Sequence, residues 1–328
     1  MSSYVLGIDG GGTKTSCALF DTAGNKLKII DSWEAAYQGW SKDWISKLQE
    51  VLDNLISFVL SEWNIERSML EYCVFGLAGV DSKELHRKIS EKIHKLGINR
   101  FTLCNDGYLG IKAGSRNGFG ICSINGTGST VAAIDPYGNM LQIGGMGDYT
   151  GDVGGGYYLG LKVISSVYNS FYKGDIPTVM TEKLLSILEI KSTDDYMDIL
   201  FDRMDELKLN PKHLNKVVFE AANMGDVTAL NILEHMGREN AKSVNGAISK
   251  LNFDKAEEID IILAGSVNVR GENPTAVNTL IHDVMLKNPD RKTKFTILKY
   301  PPVAGAVIWA LNEVNKNSDY FEKVLSQF

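Results

Sequence analysis

The chain has 328 residues, 44% of them hydrophobic and 23% charged, so it is long enough for two domains that each bury a core. Its 40 acidic and 34 basic residues give a net charge of −6, which argues against a broad surface for nucleic-acid phosphates. No run of about 18 apolar residues predicts a membrane span, and no basic region followed by an apolar stretch predicts a secretory signal. We therefore expect a cytoplasmic protein with no nucleic-acid or membrane partner.

The first predicted element is a β-hairpin with a glycine-rich turn. Between two apolar runs stands the sequence Asp9-Gly10-Gly11-Gly12-Thr13-Lys14-Thr15. A second turn at Asp21–Asn25 predicts a further strand over Lys26–Ile30. Because the glycines lie between two strands, they fit neither a dinucleotide fingerprint nor a P-loop, since both of those join a strand to a helix.

The rest of the first half predicts alternating helices and strands. Apolar residues spaced by three and four predict a helix over 41–63, and an apolar run predicts a buried strand over Cys73–Gly79. Ser82 is a typical first residue of another helix, and a short strand over Phe101–Cys104 ends at Asn105-Asp106. This alternation indicates the α/β class.

Half of the 32 glycines lie between Gly107 and Gly160, where they alternate with apolar residues and so do not suggest a flexible linker. A second strand–turn–strand unit occurs there, with strands over 119–124 and 131–135. One offset of 116 residues aligns Gly10 with Gly126 and Gly12 with Gly128. The match predicts an internal duplication.

Downstream of Gly160 the chain is predicted to be mostly helical to about Leu251. A strand over Ile259–Ser266, a helix near 274–285, a strand over 294–298 and a closing helix from about Val303 follow. The four cysteines stand singly in strand-like runs, which predicts buried free thiols.

The two glycine turns predict anion binding. Glycines let backbone N–H groups converge on an anion, because no Cβ blocks the approach. Hydroxyls of Thr13, Thr15, Thr127 and Ser129 lie beside them, so the two turns together predict a site for the phosphates of one nucleotide. Asp9 is suited to Mg²⁺, directly or through water. For either turn alone, a glycine hairpin without a ligand remains the alternative.

The chain resembles the sugar kinase/Hsp70/actin ATPase superfamily, and within it the group of N-acetylglucosamine kinases and activator-type ATPases. The resemblance covers nearly the whole chain, and five segments carry it: Gly7–Thr15, Asn105-Asp106-Gly107, Gly126–Ser129, Ala264-Gly265-Ser266 and Pro302–Ala306. It implies an α/β fold of two actin-like (ribonuclease H-like) lobes with mixed sheets, flanking helices and a central cleft. The lobes would be 1–117 and 118–302, with a C-terminal helix at about 303–328 packing back on the first.

The resemblance implies that the chain uses ATP and Mg²⁺ to phosphorylate a hydroxyl of a hexose or amino sugar, such as N-acetylglucosamine, glucosamine or N-acetylmuramic acid. Asp106 would accept the proton of that hydroxyl, and its place between a buried strand and Gly107 suits a carboxylate on a cleft floor. The alternative is that Asp106 only caps the following helix. The implied ATP-binding residues are Asp9, Gly10, Gly11, Gly12, Thr13, Lys14, Thr15, Gly126, Thr127, Gly128, Ser129, Gly265 and Ser266.

The predicted sugar-binding residues depart from the family pattern. The resemblance implies sugar contacts by Gly144, Gly145, Met146, Gly147, Asp152 and, in an upstream loop, Gly39. Met146, Val153 and Gly155 stand where the family has Trp, Glu and Ser, and residues 37–40 stand where it usually has an Asn. A site that recognises hydroxyls changes specificity most when it loses a hydrogen-bonding group. The acceptor sugar is therefore left open.

Two other functions fit parts of the sequence. The first is an ATPase activator of a CoA-ester dehydratase or reductase, which would share an iron–sulfur cluster between two copies. Cysteines embedded singly in strands do not suit that role. The second is a non-catalytic sugar sensor, motivated by the altered sugar segment. The family is often dimeric, so a homodimer also stays open.

Overall fold

The computed structural model describes residues 3–36, 43–191 and 196–328. Its strands are β1 (Tyr4–Gly10), β2 (Thr15–Asp21), β3 (Lys26–Ser32), β4 (Leu70–Leu77), β5 (Phe101–Cys104), β6 (Gly120–Asn125), β7 (Ser129–Ile134), β8 (Met140–Gly144), β9 (Ile259–Ala264) and β10 (Thr293–Ile297). Its helices are α1 (Trp44–Ser61), α2 (Lys83–Lys95), α3 (Gly107–Gly114), α4 (Gly155–Tyr172), α5 (Met180–Ile187), α6 (Tyr196–Glu206), α7 (Asn215–Asn223), α8 (Val227–Lys250), α9 (Ser266–Arg270), α10 (Thr275–Lys287), α11 (Pro302–Val314) and α12 (Phe321–Leu325).

The first sheet has the strand order β3-β2-β1-β4-β5. β1 pairs antiparallel with β2, and Gly10 lies opposite Thr15, so the glycine turn joins two strands as predicted. β1 is parallel to β4, and β4 is parallel to β5. The carboxyl ends of β1 and β5 therefore meet at one edge of the sheet, the edge where ligands of α/β proteins usually bind.

The second sheet has the order β10-β9-β6-β7-β8. Read from its other edge, this order is β8-β7-β6-β9-β10. It matches the first sheet strand for strand, with β6–β10 in the places of β1–β5. The predicted duplication thus extends from one turn to a whole sheet. The predicted fold class is confirmed, because the chain forms two five-stranded mixed sheets flanked by helices.

The chain divides into two compact units. The first comprises residues 1–122, 132–141 and 298–328, and the second comprises 123–131 and 142–297. In the first unit, apolar residues of β1 and β4 such as Ile8 and Phe75 pack with one face of α1, including Leu52. The apolar spacing that predicts α1 is the spacing of its buried residues. In the second unit, buried side chains of α4, α7 and α8 form a separate core, with Val163 and Leu233 fully buried.

Helix α4 begins earlier than the sequence suggests. We expect helix only beyond Gly160, because glycine lowers intrinsic helix propensity, yet α4 starts at Gly155. The reason is close packing: a Cβ on Gly160 would overlap the carbonyl of Pro211. The glycines therefore let α4 lie directly against the 3₁₀ turn Pro211–Leu214.

The C-terminal residues pack on the β2–β3 hairpin of the first unit. The ring of Phe328 stacks on Phe20 with centroids 5.8 Å apart. The side chain of Gln327 accepts a hydrogen bond from the Lys26 N–H at 2.8 Å and donates to the Gly24 carbonyl at 2.9 Å.

Two further expectations concern the cysteines and the membrane. Cys17, Cys73, Cys104 and Cys122 are free and buried, as predicted. Over the described ranges, none of the helices combines the length and the apolar character needed to cross a bilayer.

Candidate active site

The first glycine turn connects β1 to β2 and leaves two backbone donors unused. The N–H of Gly11 donates to the carbonyl of Lys14 at 3.0 Å, which closes the turn. Within residues 3–36, 43–191 and 196–328, the N–H groups of Gly12 and Thr13 have no hydrogen-bond acceptor, and both residues are exposed. These two N–H groups are therefore free to bind an anion.

The side chains of Lys14 and Thr15, at the end of this turn, already have partners. Lys14 Nζ donates to Asp31 Oδ2 at 2.9 Å, and the buried Thr15 hydroxyl donates to the Glu34 carbonyl at 2.7 Å. Asp31 also accepts a 2.5 Å hydrogen bond from Ser16 Oγ, its partner across β2 and β3. Asp31 is absent from the residues predicted from sequence. The predicted turn at Asp21–Asn25 gives the hairpin, but a register shift between Leu19 and Phe20 sets the pairing of Ser16 with Asp31, so the turn alone does not point to Asp31.

Two interacting carboxyls lie at the carboxyl edge of the first sheet. Burial raises the pKa of Asp9 to about 7, the negative charges of Asp106 and Asp31 add to this, and Lys14 opposes it. Burial likewise raises the pKa of Asp106 to about 6, with a further contribution from the charge of Asp81. Buried carboxyls with raised pKa values at neighbouring strand ends make this edge a candidate functional site.

Asp106 is not used as a helix cap. It precedes α3, but its side chain makes no capping hydrogen bond. The neighbouring Asn105 binds the start of α3 instead. Its Oδ1 accepts from the Gly107 N–H at 2.9 Å, and its Nδ2 donates to Asp81 Oδ1 at 2.9 Å. The capping alternative is therefore wrong, although the backbone N–H groups of Asp106 and Gly107 lower the pKa of the Asp106 carboxyl and so oppose the effect of burial. The sequence analysis also missed Asp81, which follows the end of β4, the strand next to β5.

The second glycine turn connects β6 to β7 and is open on its outer side. The N–H of Gly126 donates to the Gly128 carbonyl at 2.9 Å, whereas the N–H groups of Thr127 and Gly128 have no acceptor among the described residues. Neither Gly126 nor Gly128 has a positive φ, and a Cβ on either would meet no atom within 4 Å. The fold itself therefore does not require glycine at these two positions, and the turn leaves room for a ligand to approach its backbone closely.

The inner side of the second turn is held by neighbouring backbone. N–H groups of Gly156 and Tyr157, at the start of α4, donate to the carbonyls of Gly126 at 2.8 Å and Thr127 at 3.1 Å. Gly265 has φ +85°, and a Cβ there would overlap the Asn125 carbonyl. Glycine is required here by packing, and the exposed Ser266 follows at the start of α9.

The predicted sugar segment is organised by Asp152. Its Oδ2 accepts from the N–H groups of Gly145 at 2.7 Å and Gly147 at 2.8 Å, and its Oδ1 accepts from Thr150 Oγ1 at 2.9 Å. Three of its roughly four acceptor positions are thus used inside the segment. Met146 is exposed, and a Cβ on Gly144 would contact the Asp152 carboxyl.

A cavity of about 110 Å³ lies beside this segment in the second unit, lined by Ser129, Thr130, Asp152, Glu239 and Asn240 among others. Gly39 and its neighbours Tyr37, Gln38 and Trp40 lie outside the described residues. The first unit therefore brings Asp9, Lys14 and Asp106 together. The second unit brings the Gly126–Ser129 turn together with Gly265 and with the segment around Asp152.

Comparison with known proteins gives full-length matches. The model of the BadF/BadG/BcrA/BcrD ATPase family matches residues 6–310. The N-acetylmuramic acid/N-acetylglucosamine kinase of Clostridium acetobutylicum is 29% identical over 321 residues, which cover 94% of this chain and 99% of that protein. The N-acetyl-D-glucosamine kinase of Dictyostelium discoideum is 26% identical over 317 residues, covering 94% and 97%.

A solved structure supports the fold. The crystal structure of a Chromobacterium violaceum protein described as an N-acetylglucosamine kinase is similar to this chain with a TM-score of 0.69. The two are 20% identical, and the match covers 94% of this chain and 99% of that one.

Proposed function

This chain belongs to the BadF/BadG/BcrA/BcrD ATPase family, and we propose that it transfers the γ-phosphoryl group of ATP to a hydroxyl of a hexose or amino sugar. N-acetylglucosamine and N-acetylmuramic acid are the first acceptors to test, because two full-length relatives are named for them, and glucosamine follows as a related amino sugar. The observation that carries the proposal is the Asp106 carboxyl, which is partly buried, has a pKa raised to about 6 and has no capping role.

Asp106 acts as the general base in this mechanism. As the sugar oxygen forms its bond to the γ-phosphorus, the bond from that phosphorus to the β,γ-bridging oxygen breaks, and ADP departs. The proton of the sugar hydroxyl passes to Asp106. A base whose pKa lies slightly below neutral is mostly ionised at pH 7 yet still attracts a proton, which is the condition for efficient proton transfer.

The carboxyls of the first unit fit a divalent cation. Asp9 and Asp106 raise the energy of each other's charged form, and burial adds to this effect. A bound cation relieves such repulsion, so Asp9 is the residue that would hold Mg²⁺, directly or through water. When bound, Mg²⁺ neutralises the charge of the transferred phosphoryl group.

The two glycine turns are the phosphate-binding elements of the proposal. Each presents two N–H groups without a partner among the described residues, at Gly12 and Thr13 and at Thr127 and Gly128. Fixed N–H groups stabilise phosphate charge without reorganising during the reaction. Lys14 is held by Asp31 in this structure, so its contact with phosphate would require exchange of that partner.

On the sugar side, we propose that Asp152 acts mainly through the shape of its own segment. With three hydrogen bonds from that segment, it retains about one acceptor position for a sugar hydroxyl. Gly144, Gly145, Met146 and Gly147 then contact the sugar through backbone held in place by Asp152.

The ATPase-activator function is not favoured. A cluster shared between two copies needs cysteine thiols at the surface, and all four thiols of this chain are buried. Burial raises the pKa of each thiol, which disfavours the thiolate that ligates iron.

The test is an ADP-release assay with Mg²⁺ and ATP against the three amino sugars, N-acetylmannosamine and glucose, with the phosphosugar identified by mass spectrometry. We expect sugar-dependent ADP release with one phosphosugar formed per ADP. ATP hydrolysis that is independent of sugar and yields no phosphosugar would overturn the proposal. Sugar binding by calorimetry without turnover would instead support the sensor function.

A further inference from the structure

Three buried asparagine side chains lie beneath the second glycine turn, and no predicted site residue is among them. Asn125 ends β6, Asn240 lies in the middle of α8, and Asn268 lies in α9; their exposed fractions are 0%, 4% and 8%. We propose that these side chains form an amide network that holds the Gly126–Ser129 turn in its ATP-binding conformation. Asn240 is its central positioning residue. The inference rests on the proposed role of this turn in binding ATP.

Asn240 joins the two ends of the turn. Its Nδ2 donates to Asn125 Oδ1 at 3.4 Å, on the residue that precedes the turn. Its Oδ1 accepts from Ser129 Oγ at 3.0 Å, on the residue that ends the turn. One side chain on α8, more than a hundred residues away in sequence, thus bridges the base of the turn.

Asn125 connects the turn to α4 and α9. Its Oδ1 also accepts from the Gly155 N–H at 3.1 Å, and its Nδ2 donates to Asn268 Oδ1 at 3.3 Å. Asn268 Nδ2 in turn donates to the carbonyls of Ser123 and Ala264, each at 3.0 Å. The network therefore links the turn to the start of α4, which follows the predicted sugar segment, and to the Ala264-Gly265-Ser266 loop.

The chemistry of amides explains why this network positions the turn in addition to stabilising it. A buried amide that loses a partner is strongly disfavoured, so each side chain favours the one arrangement in which its bonds are made. Apolar side chains would fill the same space without selecting an orientation. The bonds of Asn125 and Asn240 converge on the base of the turn, while the outer N–H groups of Thr127 and Gly128 remain unpaired within the described chain.

The central test is the variant Asn240→Leu, compared with Asn245→Leu. Asn245 is a partly buried residue of the same helix, and its Oδ1 accepts a 2.7 Å hydrogen bond from Asn288 Nδ2, remote from the turn. Both variants exchange a hydrogen-bonded amide for an apolar group, so both lower the melting temperature. We expect only Asn240→Leu to weaken Mg–ATP binding, by about tenfold in Kd and in the KM for ATP, because the turn loses two hydrogen bonds.

The measurements are Mg–ATP binding by calorimetry, steady-state kinetics and thermal unfolding, all on the full chain well below the melting temperature. The kcat at saturating ATP and sugar should stay within about twofold, since the network leaves Asp106 untouched. Equal ATP affinity in the two folded variants would overturn the proposal.

Asn240→Ala keeps the proposal testable if Asn240→Leu does not fold. It removes the same two hydrogen bonds with a smaller side chain and leaves the Ser129 hydroxyl in place, and we expect about a threefold or larger increase in the Kd for Mg–ATP. An unchanged Kd would count against the network. Because the readout is ATP binding, a wild-type chain that binds ATP but phosphorylates no sugar would defeat the kinase proposal and leave this test intact.

Discussion

The two glycine turns occupy equivalent places in two sheets of matching strand order, yet they are supported differently. The first turn carries charge: Asp9 precedes it, and Lys14 within it pairs with Asp31. Apart from its closing bond, its backbone is held mainly by the pairing of β1 with β2.

The second turn, Gly126–Ser129, has no charged residue. It is held by backbone donors from α4, by the close approach of Gly265 and by the side chain of Asn240. A duplicated hairpin can therefore keep its shape while its two copies differ in the groups they present. One supplies charge next to the carboxyls, and the other supplies a rigid frame of N–H groups.

The largest expected effect tests whether the charged carboxyls of the first unit perform the chemistry. We expect Asp106→Asn to lower kcat for sugar phosphorylation by about 10²–10⁴-fold, the range for removal of a general base. The Kd for Mg–ATP should change less than about threefold, because phosphate binding is assigned to the turns. Coupled kinetics and calorimetry measure the two effects. Asp290→Asn, on an exposed turn, is the control and should match the wild type. A parallel loss of ATP binding would show that the role of Asp106 is misassigned.

The second prediction separates glycines that serve the ligand from glycines that serve the fold. Gly128→Ala should weaken Mg–ATP binding by about tenfold while leaving the free energy of unfolding within about 0.5 kcal/mol, since the added Cβ meets no protein atom. Gly265→Ala should lower that free energy by several kcal/mol, because of its φ of +85° and the overlap with Asn125. Calorimetry and urea unfolding measure both quantities. Similar stability losses in the two variants would contradict the distinction.

The third prediction concerns how much the ionised carboxyl of Asp9, which precedes the first turn, lowers the free energy of unfolding. The folded state raises the pKa of Asp9 to about 7, above its ordinary value of 3.8, so ionised Asp9 destabilises the fold increasingly as pH rises from about 4 to 7. Asp9→Asn should therefore raise the free energy of unfolding by about 4 kcal/mol above pH 7 and have little effect below pH 4.

Urea unfolding at several pH values, with EDTA and without nucleotide, measures this gain. Asp290→Asn again provides the comparison. A gain that does not depend on pH would show that the Asp9 charge is not its cause.

The smallest effect concerns the pH dependence of turnover. Because the pKa of Asp106 is raised to about 6, kcat should fall as the pH drops through 6 and the base becomes protonated. Asp81→Asn removes one of the charges that raise this pKa. The acidic limb of the kcat profile, where kcat falls with decreasing pH, should therefore move to lower pH by about half a unit. Glu84→Gln, on the exposed side of α2, should leave the limb in place. A shift toward higher pH would contradict the assignment of the limb to Asp106.

Local signals in the sequence predict much of the fold. The turn residues at Asp21–Asn25 and the apolar spacing of α1 correctly predict a hairpin and a helix. The start of α4 is not predicted, because its glycines lower helix propensity and are explained only by the approach of Pro211. That contact joins segments about fifty residues apart and leaves no local signal.

The same limit applies to the candidate site. The glycines of both turns and Asp106 stand out locally, since turn chemistry and strand ends are visible in a single sequence. Asp31 is not predicted, because the register shift between Leu19 and Phe20 changes which residue of β3 faces Ser16. Asn240 is not predicted either, because it lies on a polar stretch of a long helix, and only the packing of α8 beneath the second turn distinguishes it from other helix asparagines.

The open space above Gly126 and Gly128 also has a meaning for evolution. The fold tolerates a side chain at both positions, so under the proposed function it is nucleotide binding that keeps them as glycine. Gly154 and Gly265 would persist even in a descendant that had lost ATP, because their backbone angles and close contacts demand it. A descendant that retains Gly154 and Gly265 but has lost Gly126 and Gly128 would thus be recognisable as a protein of this fold that no longer performs the proposed function.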